Sequence, residues 1–226
     1  MSPSTGAILL AAGRGERAGG EKQFALLGGI PLFLHSARVM ADWQFAALAL
    51  VVPAGRELEV AEMLGARLAA RYKLVAGGER RQDSVKAGLE ALGDVDWVVV
   101  HDAARPFVDG EMVERVLKGA CPSGAATVGT PLGDTLKRAD GEGYIVETVD
   151  RKNLWSVQTP QAFRRDLLLG AHDESTGDAT DDAALVERLG LRVALVEGPA
   201  SNIKVTTRED LELAEAILGM RRADDA

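Results

Sequence analysis

The residues with the clearest chemical potential lie in a glycine-punctuated loop near the start of the chain. The apolar run 7–10 continues into two alanines and then into Gly13-Arg14-Gly15-Glu16-Arg17, with Lys22 following. Small residues let a backbone approach a ligand closely, and glycine permits turns that expose backbone N–H groups. Such N–H groups, with an arginine and a lysine nearby, suit the binding of phosphate oxygens. The loop therefore predicts a phosphate-binding site.

This loop matches neither of the two common phosphate-binding motifs. The P-loop ends in Gly-Lys-Ser/Thr, and none follows here. The dinucleotide fingerprint G-x-G-x-x-G requires a third glycine three positions after Gly15, but Ala18 stands there, preceded by Arg17. A glycine-rich surface turn with solvated charges remains an alternative for this segment alone.

A second candidate site follows the apolar run Trp97–Val100, which continues into His101-Asp102-Ala103-Ala104-Arg105. In open α/β sheets, ligands bind at the carboxyl ends of the strands. Magnesium favours one or two carboxylates together with substrate phosphate oxygens, so Asp102 is the predicted Mg²⁺ ligand, although another divalent cation satisfies the same chemistry. His101 is predicted to be a structural hydrogen-bonding residue. Arg105 is placed either to bind a substrate phosphate or to brace Asp102.

A third polar segment, Gly77–Ser84, follows another apolar run and enters a helical pattern. Gly77 and Gly78 allow a flat base to lie against the backbone, and Ser84 is positioned to hydrogen-bond the base or the ribose. The alternative for both Asp83 and Ser84 is plain capping of the helix N-terminus.

Three later segments each have β-like character: Thr148–Arg151, Gln158–Gln161 and Asn202–Thr206. Two of them carry a cation, Arg151 or Lys204. A single cation in such a setting is usually solvated, but two of them beside the oxygen-rich segment Thr180–Asp182 suit a second, phosphorylated substrate.

Strand-like runs alternate with helical periodicity along the chain, which predicts an α/β fold with a mainly parallel sheet and helices on both faces. Helical stripes occur at Val85–Leu92, at Met112–Leu117 and after Thr207, which is a good N-cap with Asp210 three residues later. The predicted strands are Ala7–Ala11, Ala46–Val52, Lys73–Ala76, Trp97–His101, Ala125–Thr130 and Arg192–Val196.

One segment interrupts this alternation. Asp134–Arg138 and Tyr144–Val149 are β-like and flank a turn that contains Asp140-Gly141. This pattern predicts a β-hairpin arm at about residues 133–152. Because a lone hairpin is only marginally stable in water, we expect it to pack on something else, with a second chain as a candidate.

Composition excludes several classes of protein. The 226 residues suit a single domain, and a net charge of −8 argues against a nucleic-acid binder. No apolar run is long enough to span a bilayer, so no membrane partner is expected. The single cysteine, Cys121, excludes an internal disulfide, and the start of the chain lacks the pattern of a signal peptide. We therefore expect a cytoplasmic protein.

Taken in order, these segments resemble the 2-C-methyl-D-erythritol 4-phosphate cytidylyltransferase family of non-mevalonate isoprenoid synthesis. The resemblance rests on an ordered set of motifs that covers nearly the whole chain: Leu10–Arg17 with Lys22-Gln23, Gly77–Val85, His101–Pro106, Asp134-Thr135, Thr148–Arg151, Gln158–Phe163, Thr180–Ala183, Glu197-Gly198 and Asn202–Thr206. It implies a Rossmann-like sheet and a homodimer in which a β-arm of each subunit reaches the other's active site.

The resemblance also implies roles for individual residues. Triphosphate binding falls on Arg17 and Lys22, magnesium on Asp102, and the cytidine pocket on Ala11, Ala12, Gly13, Gly78 and Ser84, with Gly15 completing the loop. Contacts with the alditol phosphate fall on Thr135, Arg151 and Lys204, the first two donated by the partner subunit. Ala18 and Glu21 depart from the family pattern, which commonly has Met and Pro there, but both cations of the loop remain.

The expected reaction is Mg²⁺-dependent transfer of CMP from CTP to methylerythritol phosphate, with Arg17, Lys22, Arg151 and Lys204 as its catalytic cations. A cytidylyltransferase for another alditol phosphate, such as ribitol 5-phosphate, shares almost every motif. A nucleotide-binding regulator without turnover is disfavoured by the intact set of cations and Asp102. A fusion with a cyclodiphosphate synthase is disfavoured by the length of the chain.

Overall fold

A computed structural model describes residues 3–13 and 22–224 of the chain, without the side chain of the last of these. The strands in this part are β1 (Thr5–Leu10), β2 (Leu26–Leu27), β3 (Ile30–Pro31), β4 (Ala47–Val52), β5 (Lys73–Ala76), β6 (Trp97–Asp102), β7 (Ala125–Pro131), β8 (Leu136–Ala139), β9 (Ile145–Val149), β10 (Trp155–Arg164) and β11 (Ala194–Glu197).

The α-helices of the described residues are α1 (Leu32–Asp42), α2 (Glu57–Ala69), α3 (Arg81–Leu92), α4 (Gly110–Ala120), α5 (Arg165–Glu174), α6 (Asp182–Arg188) and α7 (Arg208–Asp224), with a short 3₁₀ helix at Lys22–Phe24. Not one of these helices has both the length and the apolar composition that a membrane span requires.

Seven strands form the central sheet, in the order β11-β7-β10-β6-β1-β4-β5. Pairs β1/β4, β1/β6, β4/β5 and β7/β11 are parallel, whereas β10 runs antiparallel to both of its neighbours. The predicted α/β class is confirmed, and the six predicted strands are present to within two residues at each end.

Helices cover both faces of this sheet because strand residues alternate between two cores. In β1, Ala7 and Leu9 pack into the core beneath α1, α2 and α4, while Ile8 packs into the core beneath α3, α5 and α6. Period-2 alternation of buried apolar residues on both sides is typical of a sheet enclosed by helices. The enclosed sheet presents the carboxyl ends of its parallel strands at one edge.

The central strand β10 is absent from the strands that the sequence predicts. Pro160 lies in the middle of it, and proline cannot donate a ladder hydrogen bond, so a proline argues against a central strand. The structure accommodates Pro160 because the β10–β7 register shifts between Val157 and Gln161 and the β10–β6 register begins only at Gln161. The proline therefore sits where the ladder is interrupted.

The predicted hairpin is present as a separate two-stranded sheet of β8 and β9. Its turn is closed by the side chain of Asp140, whose Oδ1 accepts hydrogen bonds from the N–H groups of Glu142 at 3.0 Å and Tyr144 at 2.9 Å. An ion pair of 2.6 Å between Arg138 and Glu147 links the strands. Most residues of this arm are exposed in the isolated chain.

The last helix anchors a segment that reaches the carboxyl edge of the sheet. Thr207 and Asp210 cap α7 reciprocally, as predicted, since the Asp210 N–H donates to Thr207 Oγ1 at 3.1 Å and the Thr207 N–H donates to Asp210 Oδ2 at 2.8 Å. Just before this cap, Val205 is buried, and its N–H donates to the Ala104 carbonyl at 2.8 Å. Lys204 is thereby held next to the loop after β6.

Candidate active site

A cleft of about 430 Å³ opens at the carboxyl edge of the sheet. Its walls come from five parts of the chain: Leu10–Gly13, Lys22-Gln23, Gly78–Arg81 with Ser84, Asp102 with Ala104, and Lys204–Thr206. Of the predicted site residues, the structure brings together at this cleft Ala11, Ala12, Gly13, Lys22, Gly78, Ser84, Asp102 and Lys204.

The floor of the cleft is built from small residues because two loops approach each other closely. The Ala11 N–H donates to the Val51 carbonyl at 2.7 Å, and the Gly77 N–H donates to the Val52 carbonyl at 2.8 Å. These bonds extend the sheet past the ends of β1 and β5. A Cβ atom on Gly77 would lie 2.3 Å from the Cβ of Ala12, so only glycine fits there. The result is a flat surface of backbone and methyl groups.

Ser84, on the first turn of α3, shapes the adjoining wall. Its Oγ accepts a hydrogen bond from the Gly78 N–H at 3.1 Å and donates to the Arg80 carbonyl at 3.3 Å. Asp83 accepts from both the backbone N–H and the guanidinium of Arg80 at 2.7–3.1 Å. Asp83 thus caps the N-terminus of α3, which is the alternative that the sequence offered for it. Ser84 fixes the loop that carries Gly78.

The charged centre of the cleft is Asp102, the last residue of β6. Its Oδ2 accepts a hydrogen bond from Lys204 Nζ at 2.6 Å, and its Oδ1 lies 3.4 Å from the guanidinium of Arg81. Burial alone raises the pKa of Asp102, but the positive charges of Arg81 and Lys204 outweigh it and hold the pKa well below its usual value. Asp102 is therefore a carboxylate at neutral pH.

His101 supports Asp102 from behind and does not face the cleft. Its side chain is fully buried; Nδ1 accepts a hydrogen bond from Thr159 Oγ1 and Nε2 donates to the Arg105 carbonyl, both at 3.0 Å. Thr159 Oγ1 in turn accepts from the Asp102 N–H at 3.0 Å. Burial lowers the pKa of His101 to about 4. His101 is thus a neutral structural residue, as its pattern predicts.

Lys22, at the start of the 3₁₀ helix, lines the same cleft as Asp102. Its Nζ donates to the carbonyl of Thr206, whose own N–H and Oγ1 both donate to Asp210 Oδ2 at 2.7 and 2.6 Å. The cap of α7 therefore positions both lysines of the cleft, because it fixes the segment that carries Lys204 and receives Lys22.

Arg105 supports Asp102 through its charge and not through a hydrogen bond. Its positive charge helps to lower the pKa of the Asp102 carboxyl group. Its Nη1 donates to the Asn202 carbonyl at 2.8 Å and its Nη2 lies 3.5 Å from the Val157 carbonyl, so it also secures the Asn202 segment. Its buried Nε has no hydrogen-bond partner among the described residues. Binding of a substrate phosphate by Arg105 stays a prediction.

Arg81 is the residue at this site that the sequence analysis misses. Its Nη1 lies 2.7 Å from Asp182 Oδ2 while its other terminal nitrogen faces Asp102. Asp182 is fully buried behind the cleft wall, so its carboxylate serves Arg81 within the described chain; the role of the segment Thr180–Asp182 beside a phosphorylated substrate stays a prediction. The available signal for Arg81 was the pair Arg80-Arg81 at the start of α3, but the sequence does not indicate which arginine turns inward.

Five predicted site residues are not among those that line the cleft. Gly15 and Arg17 fall outside the described residues, and Arg105 is described above. Thr135 and Arg151 lie at the two ends of the hairpin arm; both are exposed, and neither lines the cleft of its own chain. Their assignment to a substrate site stays a prediction.

The donor set at Asp102 fits a magnesium ion that arrives with a nucleotide. Among residues 3–13 and 22–224, no group of three or more His, Cys, Asp or Glu side chains forms a ready-made metal site. Asp102 contributes one carboxylate, whose side chain is 12% exposed. A carboxylate has about four lone-pair sites, so Asp102 can accept a further ligand in addition to its contacts with Lys204 and Arg81. Magnesium is commonly held in this way, by one carboxylate plus substrate phosphates and water.

Comparison with known proteins gives one family throughout. Residues 5–220 match the family model described as IspD, 2-C-methyl-D-erythritol 4-phosphate cytidylyltransferase. A protein of that name from Pelotomaculum thermopropionicum is 45% identical, and the alignment covers 96% of this chain and 94% of that protein.

Solved structures agree with the family match. The crystal structure of a 2-C-methyl-D-erythritol 4-phosphate cytidylyltransferase from Thermus thermophilus is 39% identical, with a TM-score of 0.79 and coverage of 96% and 98% of the two chains. A 4-diphosphocytidyl-2C-methyl-D-erythritol synthase from Anaerococcus prevotii is 28% identical, with a TM-score of 0.83 and 96% of each chain covered.

Proposed function

The chain belongs to the 2-C-methyl-D-erythritol 4-phosphate cytidylyltransferase family, and on that premise we propose how its cleft performs the reaction. The enzyme transfers CMP from CTP to the 4-phosphate of methylerythritol, giving 4-diphosphocytidyl-2-C-methyl-D-erythritol and pyrophosphate in isoprenoid precursor biosynthesis. The observation that carries the proposal is the grouping of Asp102, Lys204 and Lys22 around a floor of Ala11, Ala12 and Gly13.

The flat floor suits the nucleoside of CTP. Ala11, Ala12 and Gly13 present backbone and methyl groups on one side, and Gly78 with Ser84 forms the adjoining wall. A planar base gains contact area against such a surface, while Ser84 Oγ and the exposed backbone groups provide directional hydrogen bonds to base and ribose. The triphosphate then extends toward Lys22, and its remaining contacts are assigned from the sequence to Gly15 and Arg17.

The chemistry needs no nucleophilic side chain. An alkyl phosphate has a second pKa of about 6, so at neutral pH the acceptor is mostly a dianion. One of its oxygens attacks the α-phosphorus of CTP in line; a new P–O bond forms, the bond to the β-phosphate oxygen breaks, and pyrophosphate leaves with that electron pair. Catalysis then consists of positioning and charge neutralisation.

The cations of the cleft neutralise that charge. Lys22 neutralises the leaving pyrophosphate, where negative charge grows as the bond breaks, and Arg17 is assigned the same role from the sequence. Lys204, which is 42% exposed beside Asp102, is placed to contact the α-phosphate and the acceptor phosphate. Arg105 and the partner's copies of Thr135 and Arg151 complete the acceptor site in this proposal.

Asp102, with phosphate oxygens of CTP, would hold Mg²⁺ at this site. When bound, the ion supplies electrostatic neutralisation of the phosphate oxygens. The contribution of the chain itself is a carboxylate kept ionised by Arg81 and Lys204 and oriented by the hydrogen bond from its own N–H to Thr159.

We further propose that the functional unit is a cytoplasmic homodimer joined by the β8–β9 arm. The arm exposes three consecutive apolar side chains, Tyr144 at 70%, Ile145 at 64% and Val146 at 57%. Exposed apolar residues on a two-stranded ribbon gain stability when a second chain covers them. An arm that crosses to a partner carries Thr135 and Arg151 to the neighbour's cleft.

The decisive experiment is a pyrophosphate-release assay with purified protein, Mg²⁺ and CTP. Methylerythritol phosphate is compared with ribitol 5-phosphate as acceptor, and ATP, GTP and UTP are compared with CTP. We expect release only with CTP and methylerythritol phosphate, with a product of the mass of the diphosphocytidyl alditol. Faster turnover with ribitol 5-phosphate, or none with either acceptor, would contradict the assignment.

A further inference from the structure

A buried chain of charges continues behind the cleft, beyond the residues that line it. Arg81 bridges two carboxylates: its Nη1 lies 2.7 Å from Asp182 Oδ2 and its Nη2 lies 3.4 Å from Asp102 Oδ1. The other oxygen of Asp182 lies 3.3 Å from Nε2 of His172, which is also buried. Arg81 is thus held more closely by the remote carboxylate than by the one in the cleft.

Asp182 is ionised despite its burial. Desolvation by itself raises the pKa of this carboxyl group, but the charge of Arg81 and the hydrogen bonds from His172 and Arg81 outweigh desolvation and lower it. A buried ion is costly unless it is paired, so breaking such a pair is destabilising. The placement of Asp182 is therefore closely tied to Arg81.

The position of Asp182 is also fixed by the hydrogen bonds around it, and the negative charge of the neighbouring Asp181 also acts on Arg81. Asp181, the residue before it, caps α6 by accepting from the Ala184 N–H at 2.9 Å and is held by Gln161 Nε2 at 2.7 Å. Gln161 is fully buried in the central strand β10, and its Oε1 accepts from the Ala183 N–H at 3.3 Å. The start of α6 is therefore anchored directly to the sheet.

From this geometry we propose that Asp182 is a positioning residue for the reaction. It holds Arg81 at the cleft wall, so that the guanidinium divides its charge between two carboxylates and leaves Asp102 free to engage a bound nucleotide. Without the charge of Asp182, Arg81 turns toward Asp102 and neutralises it more completely. This inference rests on the proposed function, because its main readout is the cytidylyl transfer.

The test is a double-mutant cycle on Asp182→Asn and Arg81→Gln. Asp182→Asn keeps the shape of the side chain and removes its charge, and we expect kcat/KM for CTP to fall about 10- to 100-fold, the usual effect of losing a partner that orients a ligand residue. In the Arg81→Gln background the same change should alter kcat/KM less than twofold, because Asp182 acts through Arg81. Independent roles of the two residues would instead make the two losses multiply, and that result would overturn the proposal.

The matched control is Asp178→Asn. This substitution also replaces an aspartate with asparagine, and it breaks the ion pair of 3.3 Å between Arg80 and Asp178. The side chains of that pair are largely exposed, in contrast to the buried Asp182. We expect kcat/KM to stay within twofold of the unaltered protein. An equal loss in Asp178→Asn and Asp182→Asn would overturn the proposal.

A binding measurement separates this inference from the proposed function. CTP is titrated calorimetrically without acceptor, in Mg²⁺ and in EDTA; we expect the ratio of the two dissociation constants to shrink toward one in Asp182→Asn. An unchanged ratio would overturn the positioning role even if no acceptor is ever turned over. If Asp182→Asn fails to fold, Arg81→Gln/Asp182→Asn removes the guanidinium together with the carboxylate. This variant should keep the Mg²⁺ dependence of CTP binding, because no guanidinium is left to turn toward Asp102. Loss of that dependence in the double variant would overturn the proposal.

Discussion

Lys204 Nζ and Asp102 Oδ2 lie 2.6 Å apart although 102 positions separate the two residues in the chain. The pair is asymmetric, because 42% of the Lys204 side chain is exposed but only 12% of that of Asp102. The lysine can therefore turn toward an incoming phosphate without the burial of a new charge, while the carboxylate stays fixed at the end of β6. The cleft thus holds a paired cation and anion, both of which a nucleotide with its metal ion would use.

Replacement of Lys22 by alanine tests the charge on the leaving group. Because that charge grows in the transition state, we expect Lys22→Ala to lower kcat on the order of 100-fold or more while changing CTP binding much less. Steady-state kinetics at saturating CTP and a separate CTP titration measure the two effects. Near-normal kcat in the variant would remove Lys22 from the reaction.

Replacement of Asp102 by asparagine tests the metal site. The change keeps the shape of the side chain and removes its charge, and Arg81 retains Asp182 as a partner, so we expect the fold to persist. Turnover should collapse and should require far more Mg²⁺, since the carboxylate is the proposed protein ligand. Mg²⁺ titrations with thermal unfolding measure both; normal activity of the variant at low Mg²⁺ contradicts the ligand role.

The sequence predicted the floor and the charges of the cleft more fully than it predicted the support behind them. Gly78, Asp102 and Lys204 follow recognisable local patterns, namely glycines after an apolar run, a carboxylate at a strand end and a lysine before a capped helix. These patterns are local because strand ends and caps are determined by neighbouring residues.

The parts that the sequence analysis missed depend on contacts between distant residues. Arg81 and Asp182 are 101 positions apart, and each is an ordinary charged residue at a helix start until the fold buries them together. Strand β10 was missed because a proline such as Pro160 argues against a central strand. The shift in strand register that accommodates Pro160 exists only in the assembled sheet. Local propensity contains no information about either the buried ion pair or this shift.

The buried His101 predicts how stability depends on pH. Its pKa in the folded protein is about 4, below its ordinary value of 6.5, so the unfolded chain binds the proton first as the pH falls. The resulting loss in the free energy of unfolding is negligible well above pH 6.5 and grows as the pH drops. It approaches about 3 kcal/mol near pH 4. Asp102 and Asp182 have lowered pKa values, so the stability that they contribute is complete well above the ordinary carboxyl pKa of 3.8 and is lost as the pH falls from there toward their lowered values.

Urea unfolding between pH 7 and pH 4.5 measures this dependence. We expect the free energy of unfolding to fall with pH in the unaltered protein and to fall less steeply in His101→Asn, even if that variant is less stable at pH 7. The matched control is His35→Asn: His35 also has a pKa lowered by burial, but it is only partly buried. An identical slope in the unaltered protein and in His101→Asn contradicts the assigned pKa.

The last prediction is that two inactive variants restore each other's activity when their subunits mix. Arg151 lies beyond the β8–β9 arm and outside its own cleft, whereas Lys22 lines its own cleft. If the arm crosses to a partner, a heterodimer of Arg151→Ala and Lys22→Ala collects both changes in one site and leaves the other site intact. Random exchange of equal amounts makes heterodimers about half of the population, so about a quarter of the original activity should return.

The matched control mixes Lys22→Ala with Lys204→Ala. Both lysines line the cleft of the same chain, so every site in that heterodimer keeps one change and no activity should return. Exchange itself is followed by mass spectrometry of differently tagged subunits. If exchange is complete and the Arg151→Ala mixture gains no more than the sum of its parents, Arg151 serves its own subunit, and the exposed residues Tyr144, Ile145 and Val146 need another explanation.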